Sequence, residues 1–311
     1  MKVLLPGNID LDVTAPTGVE LVVFDPAEPI PAEHTDAEVL VTWGQSGDQL
    51  RAEAARLTRL RWVQTLAAGP DAVLEAGFAP EVVVTCGRGL HDLTVAEHAV
   101  TLLLAGVRRI GDMVRAQDER HWSRELGGLQ PLHPADRRTT LIDARVVIWG
   151  FGSIGRTIAR YLAAMGVEVR GVARSSGERD GFPVSDDIDA ELPHADALIM
   201  VLPATQETAA AMDARRLALL PDTAWLVNVG RGATLDEDAV VEALHAGTLG
   251  GAALDVTATE PLPASSPLWD APNTLISPHA AGGRPVGGSE LISHNLAAYR
   301  QGTELREVVD R

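Results

Sequence analysis

Three charged residues stand just after hydrophobic runs in the second half of the chain. Arg231 follows AWLVNVG, Glu260 comes shortly after GGAALDV, and His279 follows NTLIS. A histidine can deliver a proton to a carbonyl oxygen, a carboxylate can orient that histidine, and a guanidinium can bind a substrate carboxylate through two parallel hydrogen bonds. Beside a nicotinamide, this set suits hydride transfer to a 2-oxoacid. Singly, each residue has an ordinary alternative: a helix-capping or core histidine, a surface cation, a solvated loop residue.

A glycine motif could hold that nicotinamide cofactor. Gly150, Gly152 and Gly155 form G-x-G-x-x-G between the apolar run VVIW and the helical pattern SIGRTIARYLAAMG. The first glycine permits a tight turn, the second lets a pyrophosphate approach the backbone, and the third lets helix and strand pack closely. The helix N-terminus, at Ser153 and Ile154, would offer N–H groups to the phosphates. The alternative is a glycine-rich turn that binds nothing.

The residues expected beside the adenosine ribose depart from the usual NAD pattern. NAD sites of this type carry an Asp or Glu at the end of the second strand. Here the chain has Ala173, Arg174, Ser175 and Ser176. An alanine does not repel a 2′-phosphate, and the planar cation of an arginine suits one. We therefore expect NADP(H) to be preferred, with NAD(H) possible; the alternative is a solvated Arg174 with no cofactor role.

The elements that must position these residues alternate between strand and helix patterns, which indicates an α/β fold with parallel sheets. Strands are predicted at KVLL, ELVVF, EVLVTW, RWVQTL, EVVVTC, RVVIWG, VEVRGV, DALIMVL, AWLVNVG, GGAALDV and NTLIS. Helices are predicted at DQLRAEAARLTRL, SIGRTIARYLAAMG, DARRLALL, DEDAVVEALHAG and SELISHNLAAYRQG. A single long helix is predicted over residues 95–119, followed by a loop or arm over 121–140.

Composition narrows the class of protein. The 311 residues suffice for two domains, and the net charge of −17 opposes binding to nucleic acid or anionic membranes. We find no signal peptide and no apolar run of about 18 residues. The only cysteine, Cys86, suits a reducing compartment. We expect a cytoplasmic protein with no nucleic-acid or membrane partner and no metal site.

Over nearly its whole length the sequence resembles the D-isomer-specific 2-hydroxyacid dehydrogenases. The resemblance is carried by LRWVQTLAAGPDAVL, LTVAEHAVTLLLAGVRRI, the glycine-motif segment, the run from Val201 to His279, and LISPHAAG. It implies two Rossmann-like or flavodoxin-like domains with parallel sheets and an active-site cleft between them. Residues 1–92, completed by 285–311, would bind substrate, and 93–284 would bind the dinucleotide. The crossovers would lie near His91–Thr94 and Gly283–Gly287.

The resemblance also implies roles for residues. It makes Arg231, Glu260 and His279 catalytic, with His279 as the proton donor, and places Asp255 against the nicotinamide carboxamide. Backbone N–H groups of Ala67, Ala68 and Gly69 would join Arg231 in holding the substrate carboxylate. Pro203 and Val229 complete the expected cofactor set. A homodimer formed through residues 95–140 is expected.

Within the family, the ARSS segment resembles the NADPH-preferring glyoxylate/hydroxypyruvate reductases, which implies reduction of a small 2-oxoacid of that kind to the D-2-hydroxyacid. Cys86 stands where many relatives have Asn, and Trp43, Arg88 and His91 are candidate pocket residues. One alternative is a phosphoglycerate dehydrogenase lacking the regulatory domain, with Arg88 or Arg284 contacting phosphate. The other is a cofactor-sensing binding protein.

Overall fold

The computed structural model describes residues 1–310. The chain divides into two compact units, Met1–His91 with Arg284–Arg311, and Asp92–Gly283. Each unit is built on a mainly parallel sheet, so the predicted α/β class is confirmed. Within residues 1–310, no helix is long and apolar enough to cross a membrane.

The strands and helices have the following bounds. The strands are β1 Lys2–Pro6, β2 Glu20–Phe24, β3 Val39–Thr42, β4 Trp62–Thr65, β5 Val83–Thr85, β6 Arg145–Trp149, β7 Glu168–Val172, β8 Gly177–Arg179, β9 Phe182–Ser185, β10 Ala197–Met200, β11 Trp225–Asn228, β12 Gly251–Leu254 and β13 Thr274–Ile276. The helices are α1 Gly47–Arg56, α2 Asp71–Glu75, α3 Asp92–Val107, α4 Ile110–Asp118, α5 Ser153–Ala164, α6 Ile188–Glu191, α7 Ala214–Leu217, α8 Glu237–Ala246 and α9 Gly288–Gln301.

The first unit has a parallel sheet in the order β2-β1-β3-β4-β5, the flavodoxin-like order. Its inner strands β1, β3 and β4 are buried almost throughout, because apolar clusters cover both faces of the sheet. Leu291, Ile292 and Leu296 of α9 cover one face. The tail after α9 runs beside β5, where the Cys86 N–H donates to Glu307 O at 2.9 Å. The last helix and tail therefore belong to the core of this unit.

A buried polar network ties α9 to the middle of that sheet. Gln64 Oε1 accepts from Thr85 Oγ1 at 2.8 Å and from Asn295 Nδ2 at 2.9 Å, and Trp62 Nε1 donates to Thr85 Oγ1 at 2.8 Å. Asn295 Oδ1 in turn accepts the Arg306 N–H at 2.8 Å. Gln64, Thr85 and Asn295 are fully buried, so these bonds offset the desolvation of their polar groups.

The second unit has a sheet in the order β13-β12-β11-β10-β6-β7-β9-β8, parallel except for the β8–β9 pair. After β6 the chain forms β7 on one side of it. Later the chain crosses over and forms β10 on the other side of β6. The strand order thus reverses between β6 and β10. In open parallel sheets, ligands bind at the carboxyl ends of the strands at this reversal. The glycine motif begins there, directly after β6.

The single long helix predicted over residues 95–119 is wrong. The structure has two helices, α3 and α4, separated at Arg109, whose backbone is left-handed (φ 54°). Gly106 lies so close to the Trp225 ring that an added Cβ would be 2.2 Å from it. The apolar helix α3 packs against the sheet and buries half of its residues, whereas α4 buries none of its residues. Helical periodicity continues across the break, so periodicity alone does not reveal it.

The hairpin of β8 and β9 was not predicted from the sequence. Its two strands are short and largely polar, which gives a weak strand pattern. Its turn is Asp180–Gly181, with both residues at positive φ (53° and 82°). An Asp-Gly pair is the usual choice for a tight turn of this kind, and that dipeptide was the available signal. Residues 121–140 form no helix or strand, as predicted.

Candidate active site

The glycine motif has the geometry that its three glycines predict. Gly150 has φ 103°, and a Cβ there would lie 2.5 Å from Val201 O, directly after the neighbouring strand β10. Gly155 packs against the turn, since its Cβ would be 2.6 Å from Gly150 O. Gly152 differs from both, because nothing lies within 4 Å of its Cβ position. The loop is therefore tightly packed on the protein side and open above Gly152.

The N-terminus of α5 suits an anion. Its N-cap is Gly152, no side chain caps it, and its first turn contains no acidic residue. By contrast, α1, α7 and α8 are capped by Ser46, Asp213 and Asp236. Exposed N–H groups and the helix dipole at this end favour a phosphate. A dinucleotide pyrophosphate fits the open loop and the uncapped helix.

The adenosine end of the candidate cofactor site has a feature that the sequence did not predict. Arg174 and Ser175 are exposed after β7, as expected. Arg179, at the end of β8, reaches back to the same place. Its Nη1 donates to Phe151 O at 3.0 Å, and its Nη2 donates to Ser175 Oγ at 2.9 Å. The hairpin therefore brings a second arginine to the segment that follows β7.

Pro203 and Val229 follow β10 and β11, the strands that come after the reversal in strand order. Pro203 is exposed, and its carbonyl accepts from Thr208 Oγ1 at 2.6 Å. Val229 is buried, and its N–H donates to Met200 O at 3.1 Å. Both residues lie at the carboxyl edge of the sheet that also carries Gly150. Their cofactor role stays a prediction.

The loop that carries Arg231 is held by the side chain of Asn228, which is fully buried at the end of β11. Asn228 Oδ1 accepts the Gly230 N–H at 3.0 Å, and its Nδ2 donates to Arg231 O at 3.2 Å. A Cβ on Gly232 would lie 1.9 Å from the Thr257 carbonyl carbon. The Arg231 loop is therefore pressed against the segment that leads to Glu260.

His279 and Glu260 form a hydrogen-bonded pair. His279 Nδ1 lies 2.8 Å from Glu260 Oε2, and Glu260 Oε1 accepts the Thr257 N–H at 3.1 Å. The backbone of His279 is left-handed (φ 51°), which is uncommon for a residue with a Cβ and frequent at functional sites. With its Nδ1 held by the carboxylate, the histidine can use Nε2 to give or accept a proton.

Asp255 holds the turn that carries His279. Its carboxylate is buried and accepts from the N–H groups of Ala280 and Ala281 at 2.8 and 3.1 Å and from Ser277 Oγ at 2.6 Å. His98 Nε2 on α3 lies 3.2 Å from the same carboxylate. The structure therefore shows Asp255 as an anchor of the His279 turn, which the sequence reading missed; its expected contact with a nicotinamide stays a prediction.

The residues expected to contact substrate in the first unit are placed as follows. Ala67, Ala68 and Gly69 follow β4, but the Ala67 N–H already donates to Thr65 Oγ1 at 3.1 Å. The loop is held from behind, since His91 Nε2 lies 2.7 Å from Leu66 O. Ala68 and Gly69 are thus the stronger candidates for binding a carboxylate.

The other candidate pocket residues have defined contacts. Cys86 is 1% exposed, so its side chain belongs to the core. Arg88 pairs with Glu307 at 3.3 Å, which partly neutralises a cation that the phosphoglycerate alternative would need for phosphate. Trp43 is half-buried and stacks on His91, with ring centroids 5.6 Å apart. Across the described chain, no three His, Cys, Asp or Glu residues are grouped to hold a metal ion.

Comparisons with known proteins identify a domain family and several relatives. Residues 100–281 match the model of the D-isomer specific 2-hydroxyacid dehydrogenase NAD binding domain. The chain is 33% identical over 291 residues to a glyoxylate/hydroxypyruvate reductase A of Serratia proteamaculans, covering 90% of this chain and 88% of that protein. A counterpart of the same name from Citrobacter koseri is 31% identical, with the same coverage of both chains.

Two solved structures are similar over almost the full length. One is an NADPH-dependent glyoxylate/hydroxypyruvate reductase from Sinorhizobium meliloti in complex with NADP and sulfate, 28% identical with a TM-score of 0.79, covering 99% of this chain and 98% of that one. The other is a D-isomer specific 2-hydroxyacid dehydrogenase from Xanthobacter autotrophicus in complex with NADPH and MES, 28% identical with a TM-score of 0.77, covering 99% and 97%. From the matched domain and the relatives above 30% identity, the chain belongs to the D-isomer-specific 2-hydroxyacid dehydrogenase family.

Proposed function

We propose that the protein reduces a small 2-oxoacid, of the size of glyoxylate or hydroxypyruvate, to the D-2-hydroxyacid with NADPH. The observation that carries the proposal is the 2.8 Å pair of His279 and Glu260 in the same unit as an open, uncapped glycine loop. The names of the relatives from Serratia and Citrobacter support the substrate class. The solved relatives in complex with NADP or NADPH support the cofactor.

In the reaction, the guanidinium of Arg231 holds the substrate carboxylate through two parallel hydrogen bonds. When bound, NADPH would supply the hydride for the carbonyl carbon. His279 Nε2 gives its proton to the carbonyl oxygen, while Glu260, 2.8 Å from Nδ1, holds the ring in place. Asp255 keeps the His279 turn in place through the N–H groups that follow it.

The cofactor would be held by the second unit. Gly152, Ser153 and Ile154 offer the open loop and helix N-terminus to the pyrophosphate, and Arg174 is the cation for the 2′-phosphate. Arg174 is exposed and has no hydrogen bond or ion pair with the described residues, so its side chain can move to a ligand. Ala173→Asp combined with Arg174→Gln should lower turnover with NADPH and raise it with NADH; an unchanged ratio of the two would contradict this preference.

The experiment that tests the function is a comparison of initial rates with NADPH and NADH on glyoxylate, hydroxypyruvate, pyruvate and phenylpyruvate. His279→Ala should lower kcat by about 10²–10⁴-fold, the usual contribution of a general acid. His294→Ala is the matched control, because His294 is exposed on α9. Turnover of His279→Ala close to wild type would refute the mechanism. Tight NADPH binding without turnover of any 2-oxoacid would favour the cofactor-sensing alternative.

We also propose a homodimer formed through α4 and the arm of residues 121–140. Ile110, Met113 and Val114 of α4 are between 38% and 50% exposed, and Trp122 is 91% exposed. Exposed apolar side chains concentrated in one segment are typical of a protein interface. Sedimentation analysis should show a dimer that Trp122→Glu weakens; a monomer at micromolar concentration would contradict the proposal.

A further inference from the structure

We propose that Arg179, carried by the β8–β9 hairpin, is a second specificity-determining cation of the cofactor site and contacts the 2′-phosphate together with Arg174. This inference rests on the proposed function, because it needs a cofactor with a 2′-phosphate. It assigns a role to a residue that lies outside the segment following β7, where a ribose-binding residue is expected.

The position of Arg179 comes from the hairpin. β9 extends the parallel sheet beside β7, with Gly171 opposite Val184 and Val172 opposite Ser185. β8 folds back on β9, with Arg179 opposite Phe182. β8 therefore runs away from the carboxyl end of β7, and the Arg179 side chain reaches back toward that end to contact Phe151 O and Ser175. Alternation along β8 places Arg179 and Glu178 on opposite faces, so this acidic neighbour points away from Arg179.

Two contacts fix the hairpin against α5 and the glycine loop. Asp180, in the turn, pairs with Arg156 and with Arg160 of α5, both at 3.2 Å. Phe182 packs edge to face on Phe151, with ring centroids 6.1 Å apart, and Phe151 is itself buried within the glycine motif. The hairpin that carries Arg179 is therefore held by aromatic packing at Phe182 and by ion pairs at Asp180.

The charge of Arg179 is not neutralised. Its guanidinium donates to Phe151 O at 3.0 Å, to Ser175 Oγ at 2.9 Å and to Ser175 O at 3.3 Å, all neutral oxygens. No acidic side chain among residues 1–310 pairs with it, whereas Asp180 pairs with both neighbouring arginines of α5. A half-buried cation that is fixed by neutral acceptors keeps a positive potential around Ser175. A phosphate there would gain charge-assisted hydrogen bonds with little reorganisation of the protein.

The test is the affinity for two fragments that differ only in the 2′-phosphate, 2′,5′-ADP and 5′-AMP, measured by calorimetry on the full chain. Wild type should bind 2′,5′-ADP more tightly. Arg179→Gln should weaken binding of 2′,5′-ADP by about 10- to 100-fold, the usual contribution of a hydrogen bond to a charged group, and should change binding of 5′-AMP by less than about threefold. Arg179→Lys, which keeps the charge but not the fork, should fall between wild type and Arg179→Gln.

Arg170→Gln is the matched control. It removes one positive charge from β7, but Arg170 pairs with Glu168 at 3.3 Å and is not one of the arginines that hold the hairpin through Asp180. Its affinities for both fragments should stay near wild type. Equal weakening of 2′,5′-ADP and 5′-AMP binding by Arg179→Gln would overturn the inference, since Arg179 would then only support the loop. If wild type prefers 2′,5′-ADP and Arg179→Gln retains that preference, the inference alone fails. Absence of any preference in wild type would overturn both the inference and the proposed use of NADPH.

Discussion

Replacing Glu260 by Gln tests the hydrogen bond that orients His279, the proposed proton donor. The substitution keeps the size of the side chain, and the amide oxygen can still accept the Thr257 N–H that now bonds to Glu260 Oε1 at 3.1 Å. The amide nitrogen then faces His279 Nδ1 in place of the carboxylate oxygen at 2.8 Å. An amide N–H can only donate, so His279 Nδ1 must become an acceptor. That arrangement disfavours the cationic ring from which the substrate would be protonated.

The size of the effect follows from the contact and its exposure. A hydrogen bond to a charged group contributes about 1.5–3 kcal/mol. The side chains of His279 and Glu260 are 46% and 39% exposed, so solvent screening favours the lower part of that range. A loss of about 1.5–2 kcal/mol in the transition state corresponds to a decrease of about 10- to 30-fold in kcat. The KM of the 2-oxoacid should change little, because Glu260 is not proposed to touch the substrate.

The assay is the initial rate of 2-oxoacid reduction at saturating NADPH, with kcat and KM determined separately. Glu237→Gln is the matched control, because Glu237 Oε1 accepts the Ala258 N–H of the same loop at 2.6 Å. It changes a carboxylate to an amide beside the loop, while the 2.8 Å pair of Glu260 and His279 is kept. A kcat of Glu260→Gln within twofold of wild type, or an equal decrease in Glu237→Gln, would refute the assignment of Glu260 as the residue that orients His279.

Three further predictions concern binding and stability. Arg231→Lys should lower kcat/KM for the 2-oxoacid by about 10- to 100-fold, because a lysine cannot form the two parallel bonds to a carboxylate; a change below threefold in steady-state rates would contradict the proposed contact. Asn295→Ala removes a buried donor from Gln64 and the acceptor of a backbone N–H, and should lower the free energy of unfolding in urea by about 2–3 kcal/mol; a loss below about 0.5 kcal/mol would show that the network is not needed. Hydrogen bonds from Arg215 and Arg216 hold the pKa of Asp189 below its usual value, so its stabilising contribution is present at neutral pH and is lost as the pH falls through that lowered pKa. Asp189→Asn should therefore lower stability by at most about 1 kcal/mol near pH 7, because the carboxylate is 36% exposed and solvent screens the ion pairs, and by almost nothing near about pH 2; an equal loss at both pH values would contradict the charge-based explanation.

The parts of the fold and the site that follow from the sequence are those encoded by local patterns. The strands around the glycine motif are apolar runs bounded by turn residues, and Gly150 and Gly155 meet close neighbours that only glycine permits. The pairing of Glu260 with His279 follows from a general rule, since both leave neighbouring parallel strands at the same edge of one sheet.

What the sequence reading missed depends on contacts between distant segments. The break between α3 and α4 at Arg109 accompanies the packing of Gly106 against Trp225, which is more than a hundred residues away in the chain. The left-handed backbone of His279 is held by its N–H bond to Asp255 O at 2.8 Å, and no local pattern marks it. Arg179 was missed because its hairpin is short and polar, although the Asp-Gly turn was a usable signal.

The way Asn295 completes the first unit has a consequence for biosynthesis. Gln64 acquires the Asn295 donor only when α9 has been made, and Asn295 in turn needs the backbone of Arg306. On the ribosome, residues 92–283 are therefore complete while the β1–β5 sheet still lacks the helix that covers one of its faces. Because domains fold as units during synthesis, the second unit should fold first, although the first unit begins at the amino terminus. An uncovered sheet face at this stage is a surface that chaperones recognise, so premature stop codons before α9 should yield chains that are degraded or aggregate.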